Sequence, residues 1–176
     1  MCEWGIIITS EPLSVDDQLD LAEKNLESLL EWIGRHDNKS SIILGIGTGM
    51  LGVIATFAPD KTFWDSLMIT FAVFSIFPLL LSLLCVYLGN YPRLEGPSDS
   101  LFYFGSICKK CLIQYQQEFF KRTKEECLKD VLEQCHRNSE ILNKKFKYLK
   151  WGYRLLLISV IPWIITIYLF RSIPTT

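Results

Sequence analysis

Charge-free apolar runs occupy residues 41–58, 66–88 and 155–170, with 18, 23 and 16 residues respectively. A helix needs roughly 20 apolar residues to cross a bilayer core about 30 Å thick. The middle run meets that requirement outright. The two shorter runs reach it with flanking Lys39, Arg154 and Arg171, whose long side chains carry their charges outward. The pattern therefore predicts an all-α integral membrane protein with three transmembrane helices and a cytoplasmic helical bundle. Four segments follow: an amphipathic helix within 1–40, a hairpin of spans over 41–88, a cytoplasmic helical region over 89–150, and a third span with a short tail over 151–176.

Outside the runs the hydrophobic period becomes helical. Val15, Leu19, Ala22, Leu26, Leu29 and Ile33 recur at alternating steps of four and three, a heptad seam opened by the capping sequence Ser14-Val-Asp-Asp17. This predicts a helix over 15–36 that packs on another helix and leads into the first span. Residues 90–100 hold two prolines and a glycine and read as a loop. A helix is expected over 106–121. A second capping box, Thr123-Lys-Glu-Glu126, starts a stretch without Pro or Gly up to Gly152. One helix is expected from 124 through the third span, about 70 Å long at 1.5 Å per residue. Pro78 and Pro162 are expected to kink their spans.

Along that last helix, positions 127, 131, 134, 138, 141, 145 and 148 form a stripe reading Cys, Val, Gln, Asn, Ile, Lys, Tyr. The neighbouring row Leu128, Leu132, Cys135, Leu142 and Leu149 is apolar and is the expected partner of the 15–33 seam. Polar groups on the stripe face solvent, another helix or a polar ligand, because burying an amide or ammonium unpaired costs several kcal/mol.

Charge decides orientation. The formal net charge of −1 conceals segregation of nearly all charge into 1–40 and 89–150. Lys24, Arg35 and Lys39 precede the first run. Arg93, Lys109 and Lys110 follow the second, and Lys144, Lys145, Lys147 and Lys150 precede the third. By the positive-inside rule the N-terminus and 89–150 are cytoplasmic, with the 59–65 loop and the C-terminal tail outside. Tyr87, Trp64, Trp151, Tyr153 and Tyr168 suit interfacial belts. No basic excess points to nucleic acid, and no cleavable leader is evident.

The candidate chemistry is sparse. Gly47-Thr-Gly49-Met-Leu-Gly52 has the dinucleotide-binding spacing but lies inside an apolar run without an α/β context. The overlapping Gly45-x3-Gly49 reads instead as a close helix-packing face, within or between protomers. Cys108, Cys111, Cys127 and Cys135 match zinc spacing loosely and fall on expected helices, where Cys is a small apolar residue. Neither a metal site nor a disulfide framework is expected. His36 and His136 read as solvated helix residues. No nucleophile–base arrangement stands out, so no enzyme activity is expected.

The parts fall in an informative order. Asp37-Asn-Lys39-Ser enters the first span, and Asn90-Tyr-Pro-Arg93 leaves the second. Leu101-Phe-Tyr-Phe-Gly-Ser-Ile comes next. Asp130-x3-Gln134-x3-Asn138-x6-Lys145-Phe-x-Tyr-Leu precedes the third. Over roughly residues 22–170 this order resembles the transmembrane effectors of Pycsar, the bacterial antiphage system built around a pyrimidine cyclase. The resemblance implies an inner-membrane protein, functionally linked to a nucleotide cyclase, that responds to cyclic CMP or cyclic UMP by impairing the membrane and stopping the infected cell. Membrane lipid is its target and a homo-oligomer its expected state. The chain lacks a recognisable appended cyclic-nucleotide-binding domain, so a ligand site must be built from the helices. Candidate ligand residues are Asp37, Lys39, Asn90, Arg93, Phe102, Phe104, Gln134, Asn138 and Lys145. Cations suit a phosphate, amides a base edge and rings a stacked base. The same charges could equally be structural, with Asp37 paired to Arg93 or Lys145. A different class of function is a passive membrane adaptor that recruits a cytoplasmic partner through the heptad helices.

Overall fold

The heptad seam of the first helix does not stop at Ile33. In the computed structural model, which describes residues 13–91 and 100–172, one helix α1 runs without a break over Val15–Phe57. A 3-10 turn, Lys61–Phe63, leads to α2, Ser66–Asn90. Short helices α3, Phe104–Ile107, and α4, Leu112–Lys121, precede α5, Lys124–Arg171. No strand occurs among the described residues. Three helices, α1, α2 and α5, are long and apolar enough to cross a membrane. The expected 15–36 helix and first span are thus one element, and α5 is continuous into the third span as the sequence predicts. Pro78 and Pro162 both lie inside unbroken helices. Arg93, most of the 90–100 loop and residues 173–176 lie outside the described residues.

The chain divides into two units. The first comprises residues 13–29 and 100–138. Its core is Ala22, Val131 and Cys135, with Leu19, Leu26, Leu29 and Leu128 packed around them. The seam of α1 therefore meets α5 through Leu128 and Cys135 of the expected row, with the contact turned toward Val131 and away from Leu132. Val131, placed by sequence on the polar stripe, is 2% exposed, while Leu132 from the apolar row is 49% exposed. Lys124 Nζ donates to both carboxylate oxygens of Asp16 at 2.7 and 2.9 Å. That pair is exposed and adds little stability.

The expected 106–121 helix is interrupted. Cys111 caps α4: its thiol accepts the N–H of Gln114, and its own N–H donates to Gln114 Oε1 at 3.4 Å. This is a capping box with sulfur in place of the usual hydroxyl. It starts α4 at Leu112 after α3 has ended at Ile107, with Cys108 and Cys111 at the two ends of the intervening turn.

The second unit comprises residues 30–91 and 139–172. Three heptad ladders meet in it. Along α1 the inward positions are His36, Ser40, Ile43, Gly47, Met50 and Ile54. Along α2 they are Ala72, Ser75, Leu79, Ser82, Val86 and Gly89. Along α5 they include Gly152, Leu156, Ser159, Thr166 and Phe170. Small residues recur on every ladder, which lets membrane helices approach closely where apolar burial drives no association. A Cβ at Gly89 would lie 3.1 Å from Tyr148 Cβ, and one at Gly152 3.3 Å from Val86 Cγ2. Gly45 and Gly49, expected to make the close face, have nothing within 4 Å in this chain. Gly47 between them is the packed one, with Leu83 2.8 Å from its Cβ position.

Hydrogen bonds tie the same ladders. Ser82 Oγ donates to the carbonyl of Gly152 at 2.6 Å, and Trp163 Nε1 to that of Met50 at 3.0 Å. With Lys145 bonded to Asp37 and Trp163 to Met50, α1 and α5 run parallel through this unit. At the far end Trp64 packs edge-on against Phe170 and Arg171 stacks over Phe57.

Candidate functional site

The ladder positions in the second unit are apolar or small except at one level. There α1 places His36 and α5 places Lys145 on the inward face. Lys145 Nζ donates to Asp37 Oδ1 at 2.6 Å, and its side chain is only 14% exposed. His36 Nδ1 lies 3.1 Å from the same Asp37 oxygen. The histidine is 1% exposed, its ring stands edge-on to Phe146 at 5.4 Å, and its Nε2 has no hydrogen-bond partner. The sequence reading of His36 as solvated is thus corrected. It sits at the ladder step between Ile33 and Ser40, where the heptad turns it inward despite charged neighbours on both sides.

Electrostatics favour the ionised pair. Partial burial pushes the Asp37 carboxyl up, but hydrogen bonds from Lys145 and His36 and their charges outweigh it, leaving the carboxyl below its ordinary value of 3.8. The aspartate is half-exposed and the lysine nearly buried. Asp37 is therefore the compensating charge that lets a cation occupy a helix-packing position.

The other candidates are distributed. Asn90 is exposed at the end of α2. Lys39 is exposed and lines a groove between α1 and α5. Arg93 lies outside the described residues. Phe102, Phe104, Gln134 and Asn138 belong to the first unit. Phe102 and Phe104 are exposed there, and Asn138 is half-buried. Gln134 is buried, and its amide nitrogen donates to Ser100 Oγ at 3.2 Å and to Asp130 Oδ1 at 3.3 Å.

Asp130 organises that corner. It is 4% exposed, accepts the N–H of Leu101 at 2.9 Å and lies 3.9 Å from Arg122. Ser100 Oγ in turn accepts the N–H groups of Phe102 and Tyr103 at 3.1 and 2.9 Å. Asp130 and Gln134 thus fasten the 100–103 segment, and the polar stripe finds a protein partner at Gln134. The sequence signal for this was present in Asp130-x3-Gln134, an i, i+4 pair of polar residues on one helix face. The cysteines are spread over different roles: Cys111 caps α4, Cys135 packs against Ala22, and Cys108 is exposed.

Residues 21–171 match the Pycsar effector protein domain. The chain belongs to the Pycsar effector family. It is also 27% identical to the Pycsar effector protein GmPycTM of Gulbenkiania mobilis, over 87% of this chain and 93% of that relative. No solved structure matches it. The family assignment and the three apolar helices together make this a membrane protein with an effector role in antiphage defence. Membership is of the effector and not of the cyclase. The matched region includes both Asp37 and Lys145.

Proposed function

We propose that this effector is activated by a cyclic pyrimidine mononucleotide, cyclic CMP or cyclic UMP, and then impairs the bacterial inner membrane so that the infected cell stops. The N-terminus and residues 89–150 face the cytoplasm, where a cyclase supplies the signal. The observation that carries the reading is the Lys145–Asp37 pair. A nearly buried cation sits on the packing face of the helix that continues into the third span, and one half-exposed carboxylate holds it. A nucleotide phosphate competes with Asp37 for that cation. Exchange of one anion for the other alters the packing of α1 on α5 and is transmitted along a continuous helix. The nucleotide drives the change only through different affinities for the two packings.

The adaptor reading loses support, because the α1 seam it relied on is covered within the chain by Val131 and Cys135. Calorimetry of detergent-purified protein against a panel of cyclic mono- and dinucleotides is the test. A cyclic pyrimidine mononucleotide is expected to bind, and Lys145→Ala to weaken it by a charge-assisted contact, about 1.5–3 kcal/mol or roughly ten- to hundredfold. If no cyclic nucleotide binds, and a co-expressed cyclase leaves membrane potential unchanged, the sensing reading fails.

A further inference from the structure

Between α1 and α5 of the second unit runs a groove of about 850 Å³. Its lining is ordered by polarity along both helices. Lys39 lies at the charged end of α1's apolar run, and Ile42 and Ile46 follow at helical spacing. Lys150 and Arg154, one turn apart on α5, lie at the same kind of boundary, and Leu157 follows. With α1 and α5 parallel and Asp37 level with Lys145, Lys39 lies at one end of the groove, Lys150 is level with Ile42, and Arg154 is level with Ile46, its long side chain able to reach back along α5 toward the other two cations, while Leu157 lies beyond. The cations have no competing use. Among the described residues none pairs with a carboxylate, and Arg154 only stacks over Trp151 at 5.4 Å.

We propose that this groove binds one anionic phospholipid, with the headgroup phosphate against Lys39, Lys150 and Arg154 and an acyl chain along Ile42, Ile46 and Leu157. Charge complementarity selects an anion, and basic pockets between membrane helices on the cytoplasmic side suit anionic headgroups. The apolar half selects a lipid over a free phosphate, because a small anion leaves the Ile42–Leu157 wall uncovered. The site does not rest on the nucleotide reading: it shares only Lys39 with the candidate ligand residues, uses neither Asp37 nor Lys145, and its test contains no nucleotide.

The test is native mass spectrometry of the full chain in detergent, titrated with phosphatidylglycerol or with phosphatidylcholine of the same acyl chains. Wild type is expected to retain one phosphatidylglycerol per chain, at least tenfold more tightly than phosphatidylcholine. Lys150→Gln/Arg154→Gln is expected to lose roughly tenfold or more of that preference, while Lys147→Gln, an exposed cation outside the groove, keeps it. Should the double variant fail to accumulate, Lys150→Gln and Arg154→Gln are measured singly, each expected to lose part of the preference. Equal retention of the two lipids, or equal loss in Lys147→Gln, overturns the proposal. Displacement of the lipid by millimolar inorganic phosphate also overturns it, by marking a free-phosphate site.

Discussion

Ser82 on α2 donates its hydroxyl to the main-chain carbonyl of Gly152 on α5 at 2.6 Å, across 70 residues of sequence. Gly152 lets the two helices come this close: a Cβ there would lie 3.3 Å from Val86 Cγ2 and 3.4 Å from the carbonyl oxygen of Ser82. Glycines on the α2–α5 contact should therefore be intolerant in an order set by what their Cβ meets. Gly89→Ala, facing the rigid Cβ of Tyr148 at 3.1 Å, is expected to destabilise by about 1–3 kcal/mol through overpacking. Ser82→Ala should cost about 0.6–2 kcal/mol, the range for hydrogen bonds between membrane helices. Gly45→Ala, with open space around it, should leave the melting temperature of detergent-solubilised monomer unchanged. A Gly45 variant that melts lower than Gly89→Ala would show the packing faces to be wrongly assigned.

In the first unit, Val131→Ala should destabilise by about 2 kcal/mol, the usual cost of truncating a buried aliphatic side chain. Leu132→Ala, half-exposed on the adjacent position, should stay within about 0.5 kcal/mol. Urea or thermal unfolding of the two variants separates the observed seam from the one expected from sequence. Equal effects would mean the α1–α5 register differs.

That register marks where sequence reasoning ran out. The three spans and the continuous α5 were legible, since length and absence of charge decide them without reference to any partner. The face of α5 was legible in part: Leu128 and Cys135 of the expected row pack on the α1 seam, but Val131 takes the place expected of Leu132. Val131 and Lys145, both on the expected polar stripe, turn inward together with Cys135 and Leu149 of the apolar row, so period alone cannot choose between the two faces. The burial rule then argues against the right answer, because lysine is rarely buried without a partner and Asp37, which neutralises Lys145, is 108 positions away. His36 was hidden the same way by its charged neighbours. Extending the 15–33 heptad by one step would have found it. For the candidate site, sequence offered both Asp37–Arg93 and Asp37–Lys145, and packing shows the second, while Arg93 lies outside the described residues. The separation of Gln134 into a network with Ser100 and Asp130 likewise depends on a contact 34 residues distant.

Orientation is testable independently of packing. The charge bias predicts the 59–65 loop outside and 89–150 inside. A single cysteine introduced at Phe63 in a background lacking the native cysteines should react with an impermeant maleimide in intact cells. One at exposed Lys129 should react only after permeabilisation. The reverse pattern would invert the topology and remove the site from the compartment where a cyclase signals.

The Asp37 carboxyl has a pH signature with a definite sign. Its folded value lies below the ordinary 3.8, so the stability it contributes is present above that value and is lost as pH falls through the lowered one. The difference in melting temperature between wild type and Asp37→Asn should therefore be full at neutral pH and vanish only in acid, below about pH 4. A difference that already disappears between neutral and about pH 5 would mean the carboxyl is not held ionised by Lys145 and His36.

A structural role and a sensing role for the Lys145–Asp37 pair make different demands on charge placement. If the pair only fastens α1 to α5, exchanging the charges in Asp37→Lys/Lys145→Asp restores the contact that each single change breaks. Thermal stability and membrane yield should then recover toward wild type, since coupled partners show interaction energies of about 0.5–3 kcal/mol in such cycles. If Lys145 also receives the nucleotide phosphate, the exchange puts an aspartate where the anion must dock. Cyclic pyrimidine binding should then stay weakened by tenfold or more, and toxicity with a co-expressed cyclase should remain absent, even as stability returns. Calorimetry and melting on the same four proteins, wild type, both singles and the exchange, read the two roles separately. Recovery of both stability and nucleotide response would leave the pair a fastener and move the phosphate contact elsewhere. Recovery of stability alone assigns Lys145 to the signal.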